Sequence, residues 1–144
     1  MKPLLLVLLA LLAAGAAPLP RGTTVVVALD GLRSDKGVVL ACLTRVPAAF
    51  PDCSKDPRAL RLEVPAGEAR SLAFAGVAPG RYAISVLHDE NGNGLIDRAL
   101  MLPREGFGFS RNPQVRFGPP RFARASFQVG AGPVSQDIQM RYLL

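Results

Sequence analysis

Histidine occurs once in this chain, at position 88, and cysteine twice, at 42 and 53. That scarcity excludes most site chemistry. Cys42 and Cys53 are spaced too widely for a C-x-x-C redox pair, and the single distant histidine argues against a zinc site. No G-x-S-x-G elbow is present, and no nucleophile is signalled beside His88. A hydrolase built on His88 and a carboxylate would need a serine delivered from elsewhere in the fold. The chain is therefore expected to be non-enzymatic, with His88 as a strand-end residue that positions the loop after it. No segment beyond the N-terminus has a helical apolar period.

The apolar run from Leu4 to Ala14 is too short for a membrane span, which needs roughly 20 residues. It follows Met1-Lys2 and precedes the small residues Ala14, Gly15 and Ala16. Charge, apolar stretch and small residues in that order mark a secretory signal peptide. Cleavage after Ala16 is expected, leaving a mature domain over residues 17–144 with no transmembrane segment. No cysteine sits near the cut to take a lipid. The expected location is periplasmic or secreted. Removing Lys2 lowers the formal charge from +6 to +5. Exported compartments are oxidising, so Cys42 and Cys53 are expected to form a disulfide, the alternative being two free buried thiols.

The mature part reads as short strands broken by Gly and Pro. β-branched or alternating apolar residues mark strands over 23–29, 38–43, 60–64, 71–75, 81–88, 123–129 and 134–142. Seven such strands predict an all-β fold, an antiparallel sandwich of immunoglobulin-like or transthyretin-like type. Pro79-Gly80-Arg81-Tyr82 suits a corner where a tyrosine hydroxyl ties a turn to the backbone, with plain core packing as the alternative. Residues 98–122 have no clean strand period. Their phenylalanines predict an ordered excursion packed on one end of the sandwich.

The richest pattern is Asp89-Glu90-Asn91-Gly92-Asn93-Gly94-Leu95-Ile96-Asp97. Counting Asp89 as position 1, side-chain oxygens fall at 1, 3, 5 and 9, and Gly94 takes the sharp turn at 6. Leu95 would offer its carbonyl and Ile96 an apolar anchor. This is most of an EF-hand loop, but position 12 is Leu100 and not the bidentate Glu. The candidate Ca2+ ligands are Asp89, Asn91, Asn93, Leu95 and Asp97, with Glu105 folding back as a further one. Two carboxylates and two amides predict an affinity of about 10⁻⁴ to 10⁻³ M. The alternative is an Asn-Gly turn that tolerates positive φ and binds nothing.

Six arginines follow, at 98, 104, 111, 116, 121 and 124, against the single carboxylate Glu105. Arginine interleaved with phenylalanine suits single-stranded nucleic acid, but export disfavours that partner. Anionic lipid head groups, acidic polysaccharides or an acidic protein face match the charge. The alternative is a solvated loop whose arginine stems cover apolar neighbours.

Several segments recur here in a characteristic order. They are residues 31–37 (GLRSDKG), 79–83 (PGRYA), 88–94 (HDENGNG), 103–110 (PREGFGFS) and 117–120 (FGPP). In that order the chain resembles the exported bacterial proteins grouped as domain of unknown function 2141. The resemblance implies a secreted or periplasmic β-sandwich and no established activity. The corresponding loop in that group commonly ends in Lys-Leu-Asp or similar. Here it ends Leu95-Ile96-Asp97, which retains the aspartate. The cysteine pair would belong to a subset.

Overall fold

The computed structural model describes residues 22–94, 98–99 and 102–144, together with Gly15. The expected signal peptide and the expected ligands Leu95 and Asp97 lie outside the described residues, as does the side chain of Arg98.

Consecutive β-branched residues open strand β1 (Thr23–Asp30), because branched side chains fit the pleated surface better than a helix. Val25, Val27 and Leu29 point inward on alternate positions. β1 lies between β4 (Ser71–Val77), antiparallel, and β10 (Val134–Gln139), parallel. The second sheet runs β3 (Leu60–Pro65), β2 (Val38–Thr44), β5 (Gly80–Asp89), β8 (Gly106–Phe109), with β9 (Phe127–Val129) also on β5. All its pairs are antiparallel. A short hairpin, β6 (Arg98–Ala99) with β7 (Leu102–Pro103), stands apart.

The two main sheets face each other across one apolar core. Phe74, Val25 and Val27 meet Val39, Leu43, Ile84 and Val86. Each such side chain contributes on the order of 1.5–3 kcal/mol by leaving water. The all-β sandwich is as expected, apart from the β1–β10 pair, which is parallel.

Two ties hold the loop between β2 and β3. Cys42 and Cys53 form the expected disulfide, with Cα atoms 6.4 Å apart. Beside it, the buried Thr44 hydroxyl donates to Asp56 Oδ2 at 2.7 Å. That bond holds the Asp56 carboxyl below its usual range. The corner at Tyr82 is also present: its hydroxyl donates to the Ala78 carbonyl at 2.9 Å.

The region from 98 to 122 and its sequel differ from the sequence reading. The excursion contains a strand, β8, that extends the five-stranded sheet. Gly106 and Gly108 suit that close approach: a methyl on either would strike Tyr142 or Ile138. Phe107, Phe109 and Phe122 gather with Phe50 in a second apolar cluster, with Phe50–Phe109 centroids 5.7 Å apart. Phe117 does not join them and is fully exposed. The expected strand over 123–129 begins instead as one helical turn, α1 (Phe122–Ala125). The Ser126 hydroxyl closes that turn on the Ala123 carbonyl at 3.1 Å, so only Phe127–Val129 remain extended.

Candidate functional site

Strand β5 and the turn after it deliver His88, Asp89 and Glu90 to one end of the sandwich. Asp89 enters one network, and His88 and Glu90 join another.

Asp89 is fully buried. Its Oδ1 accepts the backbone N–H of Gly92 at 2.9 Å and of Asn93 at 3.3 Å. Its Oδ2 accepts Gly94 N–H at 2.6 Å. The loop is thus curled around the carboxylate, with Gly92 and Gly94 at positive φ. Glycine takes those conformations without the Cβ clash that other residues meet. A carboxylate has about four lone-pair sites, so three backbone bonds leave room for one more partner.

Glu105 is the second buried carboxylate, 4% exposed. β5 pairs with β8 through His88↔Gly106. Asp89 follows and Glu105 precedes this last bonded pair. Asn91 and Asn93 lie exposed on the loop beside them. Among the described residues, no group of three or more His, Cys, Asp and Glu gathers closely enough to hold a metal.

Glu90 points the other way, into a cluster that the sequence did not signal. Arg33 grips it with Nε on Oε1 at 3.1 Å and Nη2 on Oε2 at 2.7 Å. Ser34 adds its hydroxyl to Oε1 at 2.8 Å. The Arg33 bond above all pulls the Glu90 carboxyl down to about 2, and the Arg33 guanidinium is raised in return. Arg33 also donates to the carbonyls of Leu144 and Arg104, and stacks 4.4 Å from the Tyr142 ring centroid.

His88 is buried beneath this cluster. Its Nε2 lies 2.8 Å from the Lys36 carbonyl, which can only accept, so Nε2 carries the proton. In the neutral ring Nδ1 is then the acceptor, and the Tyr142 hydroxyl donates to it at 2.7 Å. Burial raises the Tyr142 phenol above its ordinary value. Both ring nitrogens of His88 are therefore occupied, by a carbonyl and a phenol, with no serine on either.

The outer face of the five-stranded sheet carries a groove of about 490 Å³. Leu40, Leu62, Leu87, Phe107 and Phe109 give it apolar walls, and the exposed Asp52 and Glu63 also line it. Its volume lies within the usual range for small-ligand sites, and Arg61 lines it along with these two carboxylates.

The predicted residues are thus divided. Asp89 and Glu105 flank the His88↔Gly106 pair at the end of β5, while Asn91 and Asn93 lie on the loop that follows Asp89. Arg104, Arg111, Arg116, Arg121 and Arg124 are all exposed. The Arg33–Glu90–Tyr142–His88 cluster was missed because its members are far apart in the chain. The only signal available was the presence of Arg33-Ser34 in the characteristic segment 31–37.

A family model described as an uncharacterized protein conserved in bacteria (DUF2141) matches residues 27–137. No curated protein and no solved structure matches the chain.

Proposed function

The chain belongs to this uncharacterized bacterial family, and on that footing we propose that it is an exported, non-enzymatic β-sandwich module clipped by a weakly bound Ca2+. The observation that carries this reading is the pair of buried carboxylates, Asp89 and Glu105, that flank the His88↔Gly106 strand pair. Burying a negative charge is costly unless it is compensated, and two in proximity raise the cost. A hard cation held by carboxylate and amide oxygens supplies that compensation. Asn91 and Asn93 are the amides the sequence places on the same loop, with Asn91 Oδ1 accepting the Asn93 N–H at 3.2 Å, and Asp97 is the further carboxylate expected from sequence. The ion would clip the end of β5 to the excursion that leads into β8.

Export is supported by the N-terminal sequence and by the Cys42–Cys53 disulfide. The absence of enzymatic activity is supported by His88, whose nitrogens serve Lys36 and Tyr142.

A second reading, a metal-free interaction module of the cell envelope, is favoured by one observation. Three backbone N–H groups already satisfy much of the Asp89 carboxylate.

Calorimetry under a Ca2+ titration separates the two. On the first reading, Ca2+ at ten times Kd adds about 1.4 kcal/mol, the Asp89→Asn variant gains less, and EDTA reverses the effect. EDTA should also expose residues 98–122 to protease. A melting temperature indifferent to Ca2+ and EDTA reduces the loop to a turn.

A further inference from the structure

The chain carries no carboxylate from Gly106 to Gln136, while Arg111, Arg116, Arg121 and Arg124 all fall in that interval. All four are exposed. Among the described residues the one salt bridge is Arg33–Glu90, at the other cluster, so acidic side chains do not neutralise these arginines. The fold adds a fifth. Arg81, on β5, donates Nε to the Ser126 hydroxyl at 2.8 Å, and Arg111 donates Nη1 to the Ser126 carbonyl at 3.3 Å. Two guanidinium groups from distant parts of the chain thus converge on one buried serine. Like charges brought together in this way repel, which favours an anion beside them.

Phe117 stands in the middle of this basic stretch, between Arg116 and Arg121, with its ring fully exposed. The other phenylalanines of the region pack on Phe50 or on each other. Phe117 is held out by a stiff turn: Gly118 at positive φ is followed by Pro119 and Pro120. The base of the loop is fixed as well. Asn112 donates to the Asp137 carbonyl at 2.9 Å and accepts Gln139 N–H at 2.8 Å. A projecting ring, flanked along the chain by Arg116 and Arg121 and set on a fixed base, has the make-up of a membrane-surface anchor. The ring enters the acyl boundary while the arginines meet lipid phosphates.

We propose that residues 111–124, with Arg81, form a docking surface for an anionic phospholipid bilayer, with Phe117 as the inserted side chain. This surface is separate from the Asp89–Glu105 clip and does not depend on it.

The chain has no tryptophan, so Phe117→Trp creates a single reporter at the tip. The protein for the test is the chain from Ala17 onward, which carries every described strand and lacks the apolar N-terminal run. Vesicles of equal parts phosphatidylglycerol and phosphatidylcholine should shift the tryptophan emission to the blue, and phosphatidylcholine alone should not. Co-sedimentation with the anionic vesicles should weaken about tenfold in Phe117→Ala. Arg116→Gln with Arg121→Gln should weaken it about 25-fold, at roughly fivefold per arginine. Exposed positions such as these should leave thermal melting unchanged, so the losses report on binding. Equal binding to both vesicle types overturns the proposal, as does no binding or no effect of Phe117→Ala. Binding to a soluble acidic polysaccharide without binding to vesicles overturns it in favour of that polymer.

Discussion

The Tyr142 hydroxyl donates to His88 Nδ1 across 2.7 Å and joins the tail of the chain to the end of β5. The same oxygen accepts the backbone N–H of Arg33 at 3.2 Å. Three distant segments therefore meet on one phenol.

Tyr142→Phe should destabilise the fold by about 1–3 kcal/mol. It leaves a buried imidazole nitrogen without its donor, and that desolvation is not recovered. Urea unfolding should show a lower midpoint at unchanged slope. Gly106→Ala should loosen the same contact by a different route, since its methyl would collide with the Tyr142 ring. A Tyr142→Phe variant as stable as the parent would show that the bond contributes nothing.

Acid should weaken the Arg33–Glu90 tie. The folded carboxyl titrates near 2, against an ordinary value of 4.5. Its contribution is thus complete above pH 4.5 and is lost as pH falls from there towards 2. The side chains are 39% and 27% exposed, so solvent screening keeps the effect to about 1 kcal/mol. Unfolding midpoints measured from neutral to acid pH should fall less steeply in Glu90→Gln than in the parent. Equal slopes would mean that the pair is not formed in solution.

Reducing the Cys42–Cys53 bridge should cost about 3 kcal/mol, the loop-entropy value for a closure of this size. Cys42→Ser with Cys53→Ser should show the same loss without reductant. Thr44–Asp56 holds the same loop independently, so the reduced protein should stay folded at room temperature. Melting with and without reductant measures the difference.

The strands were legible because their alternation is local. Val25, Val27 and Leu29 read as one face before any partner is known, and Leu60, Leu62 and Val64 likewise. The 122–125 turn was not legible, because Ala123, Ala125 and Phe127 alternate as a strand does. The Ser126 hydroxyl bond to Ala123 decides it, and nothing in the alternation signals that bond. The candidate site was half legible. The Asp-Asn-Gly spacing located the loop, and the structure shows its backbone curled on the Asp89 carboxylate itself.

The amino-acid sequence alone determined the all-β class, the loop at Asp89, the basic stretch and the disulfide partners. These follow from period, spacing and count, which are properties of neighbours in the chain. Tertiary structure alone decided that Glu105 is buried beside the end of the β5–β8 pairing, because strand register is set by pairing over a distance. It alone placed Arg33, Glu90, Tyr142 and His88 in one network, and left Phe117 outside the core. Such contacts arise only when segments far apart in the chain compete for the same buried space.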